Sequence, residues 1–363
     1  MKSILIHFKQ LDWVLITFAI FLVLFGLSSI YSSSLGKNDF LNFKKQIIFL
    51  IISLFLMFLF SFLDWRIFQE NSNLILFLYL FSILLLVGLF FLAPEIRGTR
   101  QWYKLSSISI DPIEFVKIIL IILLAKYFSK RHVEMYRILH ILISGFYLLI
   151  PIILIFFQPD LGSVLILIAL WFGILIVSGI KIRHFFFILF CAFLILLLSW
   201  QFFLKDYQKQ RIISFFQPHF EPKGIGWSKI QSKIAIGSGG ILGQGLFKGS
   251  QTQLGFLPEP QTDFIFAALA EESGILGILF LFFLFSILIW RILKISSFGQ
   301  SNFSRLFGLG LAILFLSEIF IHTGMNLGIL PVIGISLPFV SYGGSNLIFN
   351  FIGLGILQSF RTH

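Results

Sequence analysis

Asp263 is followed by seven uncharged residues, Phe264 to Ala270, and stands where a long polar stretch gives way to a hydrophobic one. An acid kept at such a boundary is costly, which makes it a candidate for function. Two other boundaries carry acids. Asp111-Pro112-Ile113-Glu114 opens one hydrophobic segment, with Lys117 three residues beyond Glu114 on the same helical face. Gln158-Pro159-Asp160-Leu161-Gly162-Ser163 opens another. Carboxylates placed there suit proton abstraction from a hydroxyl or the holding of a divalent cation. An ammonium such as Lys117 suits a phosphate. Each also has a plain structural explanation. Asp111, Pro112 and Glu114 form a capping box, Asp160 and Asp263 suit helix N-caps, and Glu114 with Lys117 makes an ordinary ion pair.

The elements that must position these groups are membrane helices. Of 363 residues, 58% are apolar and 12% charged, against about a quarter charged in a soluble domain. A single cysteine, Cys191, excludes a disulfide framework or thiol metal cluster. The net charge of +11 is scattered between hydrophobic segments, which argues against nucleic acid. No Walker A loop is present to hold ATP.

Ten stretches approach the ~20 apolar residues a span requires: 12 to 31, 46 to 63, 74 to 93, 112 to 128, 138 to 157, 162 to 179, 185 to 204, 263 to 290, 305 to 327 and 338 to 358. The expected fold is an all-α integral membrane protein of about ten transmembrane helices, a single polytopic domain over 1–363. With the N-terminus inside, thirteen Lys and Arg fall on the inner segments and six on the short outer ones, so the positive-inside rule predicts N-in and C-in. Eleven of the 16 acids then lie on or near the outer side, and the chemistry faces outward.

The segment 205–262 is a large extracytoplasmic loop between spans 7 and 8. Its glycines permit close approach to an anionic ligand, and its interleaved apolar residues predict packing rather than a free linker. Beneath Asp263, Ala267, Ala270, Gly274 and Gly277 fall within about 40° of its direction on a helix. That stripe suits close helix packing or a groove for a long lipid chain. Pro331, Pro338, Gly343 and Gly344 interrupt the pattern near the C-terminus and predict broken helix lining a site.

Taken together, these segments resemble the SEDS family (shape, elongation, division and sporulation) of RodA/FtsW membrane glycosyltransferases. The matching stretches are Gly98-Thr99-Arg100-Gln101-Trp102, Asp111-Pro112-Ile113-Glu114 with Lys117, Gln158 to Ser163, and Tyr207-Gln208-Lys209-Gln210-Arg211. They continue through Gln231-Ser232-Lys233 to Gly240, Leu257-Pro258-Glu259 with Thr262-Asp263, and Ser341-Tyr342-Gly343-Gly344-Ser345. Gly249 to Leu254 and Ala270-Glu271-Glu272 are closer to the elongation branch, RodA, than to the division branch. There are departures: the family usually has Arg at Gln101, Gln at Asp111, Ser at Ile113 and Thr at Ser163, and Arg100 is the candidate replacement for the missing arginine.

The resemblance implies a bacterial cytoplasmic (inner) membrane enzyme that polymerises lipid II on the periplasmic side during elongation and rod-shape maintenance. Asp263 matches the family's essential aspartate, as general base or as holder of a divalent cation (Mg or Mn). Glu114, Lys117, Asp160, Arg211, Gln231, Ser232, Lys233, Thr262, Ser341, Tyr342 and Gly343 would bind substrate. Expected partners are a class B penicillin-binding protein transpeptidase and other membrane proteins of the elongation complex. The alternatives are a lipid II flippase and a non-catalytic scaffold.

Overall fold

A computed structural model describes residues 2–95, 100–105, 108–131, 138–202, 209, 225–299 and 301–362. The first half holds α1 (Lys2–Gln10), α2 (Trp13–Lys37), α3 (Leu41–Ser61), α4 (Arg66–Glu70) and α5 (Ser72–Leu92), then a two-stranded hairpin, β1 (Tyr103–Leu105) and β2 (Ile108–Ile110). There follow α6 (Pro112–Ser129), α7 (Ile138–Phe157), α8 (Leu161–Val177), α9 (Ile182–Phe202), α10 (Ile225–Gly239), α11 (Ser250–Gln253), α12 (Ile265–Ser297), α13 (Asn302–Leu327) and α14 (Gly344–Thr362).

Among the described residues, α2, α3, α5, α7, α12 and α13 are long and apolar enough to cross a membrane, and α8 is a shorter apolar helix. The other expected spans coincide with α6, α9 and α14. α6 falls outside the hydropathy pattern because it carries Glu114, Lys117 and Lys126. Helix ends follow local chemistry. The Asp12 carboxylate accepts from Leu15 N at 3.0 Å to start α2, and Asp111 with Pro112 starts α6. Ser301 and Ser304 form a reciprocal capping box on α13.

α6 is central, buried along nearly its whole length against α5, α8, α13 and α14. Outward-facing apolar side chains such as Phe55, Phe77 and Phe91 lie on α3 and α5. α2 lies along α12 and is tied to it at both ends. Asp12 pairs with Arg291, and twenty residues further along α2 the Ser32 hydroxyl donates to Glu272.

Two boundaries differ from expectation. The eighth span begins at Ile265, with Phe264 in the cap position and no side-chain cap, so Asp263 is not the N-cap. The last begins at Gly344 rather than near 338, because Leu337 to Gly343 form a turn in which the Ser341 hydroxyl accepts from Leu337 N at 2.9 Å.

The segment expected as the large loop contains α10, which packs on α12 and α13. Residues 240–245 close over a kink in α12 at Gly274, whose φ is 65°. The kink frees backbone groups of α12, and the loop satisfies them. Gln244 N donates to Glu271 O at 2.9 Å, Gly245 N to Glu272 O at 3.1 Å, and Ile275 N to Gly240 O at 3.0 Å. A Cβ on Gly274 would stand 2.3 Å from Gly243 N, and one on Gly239 2.0 Å from Ala270 O. Ala270 and Gly274 of the small-residue stripe are therefore filled by the chain's own backbone, leaving no lipid groove there.

Candidate functional site

The acids at the helix mouths converge. A cavity of about 410 Å³ is lined by Asp111, Glu114, Lys117, Asp160, Thr262 and Asp263, with Tyr342 and Gly343 opposite. The hairpin brings Gln101 and Trp102 to its wall, and the extended segment after α13 contributes Val332 to Ser336.

Asp263 is placed by backbone on three sides. Asn326, in the last turn of α13, donates its amide to Asp263 O at 2.9 Å and accepts from Ala267 N at 3.2 Å, so it grips the start of α12. The Ser341 hydroxyl donates to Thr262 O at 2.9 Å, and Tyr342 N donates to Gln261 O at 2.8 Å. Gln46 of α3 accepts from Gly343 N at 3.3 Å and donates to Ser341 O at 3.2 Å. Gly334, with φ 74°, passes the carboxylate so closely that a Cβ there would be 3.7 Å from Oδ2.

Lys117 is gripped from two helices. Its ammonium donates to Glu114 Oε1 at 2.9 Å and to Glu318 Oε1 of α13 at 2.8 Å, leaving one of three N–H donors for the cavity. The pair anticipated within α6 is thus a triad, and Glu318 is its unanticipated member. Asp160 caps α8 through Ser163 N at 3.1 Å and accepts the Ser163 hydroxyl at 2.5 Å, so it is a cap and a cavity residue at once. Burial raises its carboxyl above the usual range, partly offset by the Ser163 hydrogen bonds. Asp111 caps α6 through Ile113 N. Burial and then the Glu114 charge push its carboxyl well up.

Other expected residues lie elsewhere. Ser341 is buried behind the wall in the contacts above. Gln231 and Ser232 are buried and outside the lining, and the Ser232 hydroxyl donates to Asn326 O at 2.8 Å. The Lys233 and Lys229 side chains both approach Gly328 at the C-terminus of α13, where a cation meets the helix dipole favourably. Arg211, Gly98 and Thr99 fall outside the described residues. Arg100, the candidate for the family arginine, is outside the cavity lining. Its guanidinium contacts Glu95 at 3.4 Å and Phe90 O at 3.2 Å, while Gln101 faces the cavity. Glu259 and Asn346 also line it. Glu259 belongs to the Leu257-Pro258-Glu259 stretch, where no local pattern sets it apart as a cavity residue.

Asp111, Glu114, Asp160, Glu259 and Asp263 thus surround a single lysine among the described lining residues. Among the described residues, no three His, Cys, Asp or Glu converge as a metal-holding group. A divalent cation here would rest on one or two carboxylates, with a substrate phosphate and water completing its shell, as Mg²⁺ commonly does.

Residues 8–363 match the family profile FTSW_RODA_SPOVE, described as cell cycle protein. The peptidoglycan glycosyltransferase MrdB of Escherichia coli (strain K12) is 40% identical over 289 residues, covering 79% of this chain and 77% of its own. The crystal structure of the Thermus thermophilus rod shape determining protein RodA matches with TM-score 0.71 at 28% identity, covering 97% of both chains. A chain from a peptidoglycan synthase complex, described for its coordination of polymerization and crosslinking, matches with TM-score 0.82 at 29% identity, again over 97% of both. Both the ordered motifs and the whole-chain similarity place this protein in the RodA/FtsW/SpoVE, or SEDS, family.

Proposed function

We propose that the chain is a peptidoglycan glycosyltransferase that polymerises lipid II into β-1,4-linked glycan during cell elongation. It works as one polytopic unit of ten spans with both termini in the cytoplasm and residues 205–262 outside the inner membrane. The observation that carries this reading is the convergence of Asp263, the Lys117 triad and Asp160 on one cavity, in a chain similar to a named peptidoglycan glycosyltransferase.

The 4-hydroxyl of an acceptor GlcNAc attacks C1 of the donor MurNAc. Asp263 takes the hydroxyl proton, the C1–O bond to phosphate breaks, and undecaprenyl pyrophosphate leaves with that electron pair. A positioned base contributes ~10² to 10⁴-fold. Lys117 offers its remaining N–H to the pyrophosphate, with Arg211 and Lys233 as further cations from the loop. Thr262, Ser341, Tyr342 and Gly343 shape the wall, and Gln231 and Ser232 brace it through Asn326. A divalent cation, where present, offsets the charge of the pyrophosphate in a strongly acidic cavity, with Asp263 as its protein ligand in the second reading.

A flippase needs a polar route toward the inner leaflet. Glu318, the acid at depth, is instead closed against Lys117, which favours the enzyme. The partner is a class B penicillin-binding protein, in keeping with the polymerization and crosslinking complex that the fold resembles. The test supplies lipid II and Mg²⁺ or Mn²⁺ to the purified protein with that partner. Asp263→Asn is expected to lower glycan polymer by at least a hundred-fold. Polymer at wild-type rate from the variant would overturn the assignment.

A further inference from the structure

A second cavity, of about 430 Å³, opens at the end of the bundle opposite Asp263. Its walls carry Arg291 and Lys294 from α12, Arg361 and Phe360 from α14, Phe298 after α12, and Asp12 before α2. Asp12 is 2% exposed and fully engaged. Oδ1 accepts from Leu15 N and from Arg291 Nε at 3.1 Å, and Oδ2 accepts from Arg291 Nη2 and from Arg361 Nη1 at 2.8 Å. Its backbone is fixed by a reciprocal pair with the Gln358 side chain, at 2.9 and 3.1 Å.

One carboxylate therefore faces two guanidinium groups and an ammonium, a formal excess of two positive charges. Lys294 makes no ion pair among the described residues and lies 5.0 Å from the centre of the Trp290 ring. The Arg291 side chain is only 16% exposed. Arg361 is 46% exposed and Lys294 is exposed, so both reach the surface beside it, and a cluster of cations short of counter-charge attracts an anion.

Two observations identify it. Twenty residues of α2 separate Asp12 from Ser32, about 30 Å, which matches the hydrocarbon thickness of a bilayer. Since Ser32 stands at the level of the outer loop through Glu272 and Gln253, the cavity lies at the opposite headgroup layer. Its rim is apolar and bare, with Phe298 78% and Trp290 53% exposed, which suits acyl chains and not a small soluble anion.

We propose that this cavity binds the phosphodiester headgroup of an anionic membrane lipid, held by Arg291, Lys294 and Arg361, with its chains along Phe298 and Trp290. Basic pockets between spans on the cytoplasmic side recognise such headgroups, and the inward positive bias of the sequence puts this end in the cytoplasm. The site is remote from the glycosyltransferase cavity and its test does not depend on that activity.

The test uses the full chain, purified and stripped of lipid in a non-ionic detergent. It is titrated with dioleoylphosphatidylglycerol, dioleoylphosphatidylcholine or inorganic phosphate, and retained lipid is counted by native mass spectrometry. Phosphatidylglycerol should be retained in preference to phosphatidylcholine and should not be displaced by phosphate. Lys294→Gln should weaken its retention by about five-fold with the lipid-free melting temperature lowered only slightly, since Lys294 holds no ion pair among the described residues and stands over an exposed Trp290 ring. Lys44→Gln, at the other end of the bundle, should have no effect. Equal retention of both lipids, wild-type retention by Lys294→Gln, or displacement by millimolar phosphate would each overturn the proposal.

Discussion

Lys117 sits between two carboxylates from different helices, all three nearly removed from solvent. Replacing it by Met strands two buried charges, and breaking such a pair costs about 3–5 kcal/mol. Lys117→Met is therefore expected to melt well below the wild type in detergent, and adding Glu318→Gln should restore part of the loss. A single variant melting like wild type would show the triad to be energetically idle. Its Glu114 member was legible from spacing. Glu318 was visible only as a costly charge at depth, because 201 residues separate it from Lys117 and only packing reveals that the two costs cancel. Asp111 makes a prediction of opposite sign to that of a salt-bridged acid. Burial and then Glu114 raise its carboxyl in the folded protein, so the folded chain keeps a proton that the unfolded chain has lost. Stability from this group is complete below the ordinary carboxylate range and declines as pH rises through the raised value. Asp111→Asn should flatten that decline, and melting temperatures of variant and wild type that run parallel with pH would refute it.

At the level of elements, Glu271 organises the segment that precedes α12. Its carboxylate accepts from Gln251 N at 2.7 Å, Thr252 N at 3.1 Å and the Thr252 hydroxyl at 2.8 Å, gathering α11 onto the kinked start of α12. Removing it leaves these donors without a partner, at about 1–3 kcal/mol for each group kept from water. Glu271→Ala is expected to expose residues 240–256 to limited proteolysis several-fold faster than wild type, while the spans stay protected; equal cleavage would mean the loop is held by its glycines alone. The expected hydrophobic segments coincide with helices because a continuous apolar run is a strong local signal. The kink at Gly274 gave none. A left-handed glycine inside an apolar helix reads like any small residue, and what demands it is the approach of Gly243 from another segment. For the same reason the turn at Leu337 to Gly343 was mistaken for the start of a span: its residues are apolar, and their hydrogen bonds run to Gln261, Thr262 and Gln46, far away in the chain.

On the scale of the whole molecule, the Asp263 cavity and the basic cavity occupy opposite ends of one bundle, and α2 and α12 run between them. The separation into an acidic end and a basic end was legible from charge counts. The cavity itself was not, since its wall draws on the hairpin, four helix mouths and the segment at Val332 to Ser336. The two polar ties between α2 and α12 act as a gauge. Glu272 and Arg291 are nineteen residues apart, and the seventeen from the Gly274 kink to Arg291 rise about 26 Å, close to the interval between Ser32 and Asp12 on its neighbour. Because the two helices carry similar intervals and are fastened at both marks, sliding one against the other would break a tie. It meets a bilayer of the wrong thickness by tilting or by deforming the lipid, at fractions of a kcal/mol per Å. Reconstituted into vesicles of graded acyl length, its polymerising rate should peak where the hydrocarbon matches that gauge and fall on either side; a rate indifferent to chain length would contradict this. The enzyme then carries its own preference for membrane thickness, and where that thickness varies along a cell, so will the rate at which wall is made.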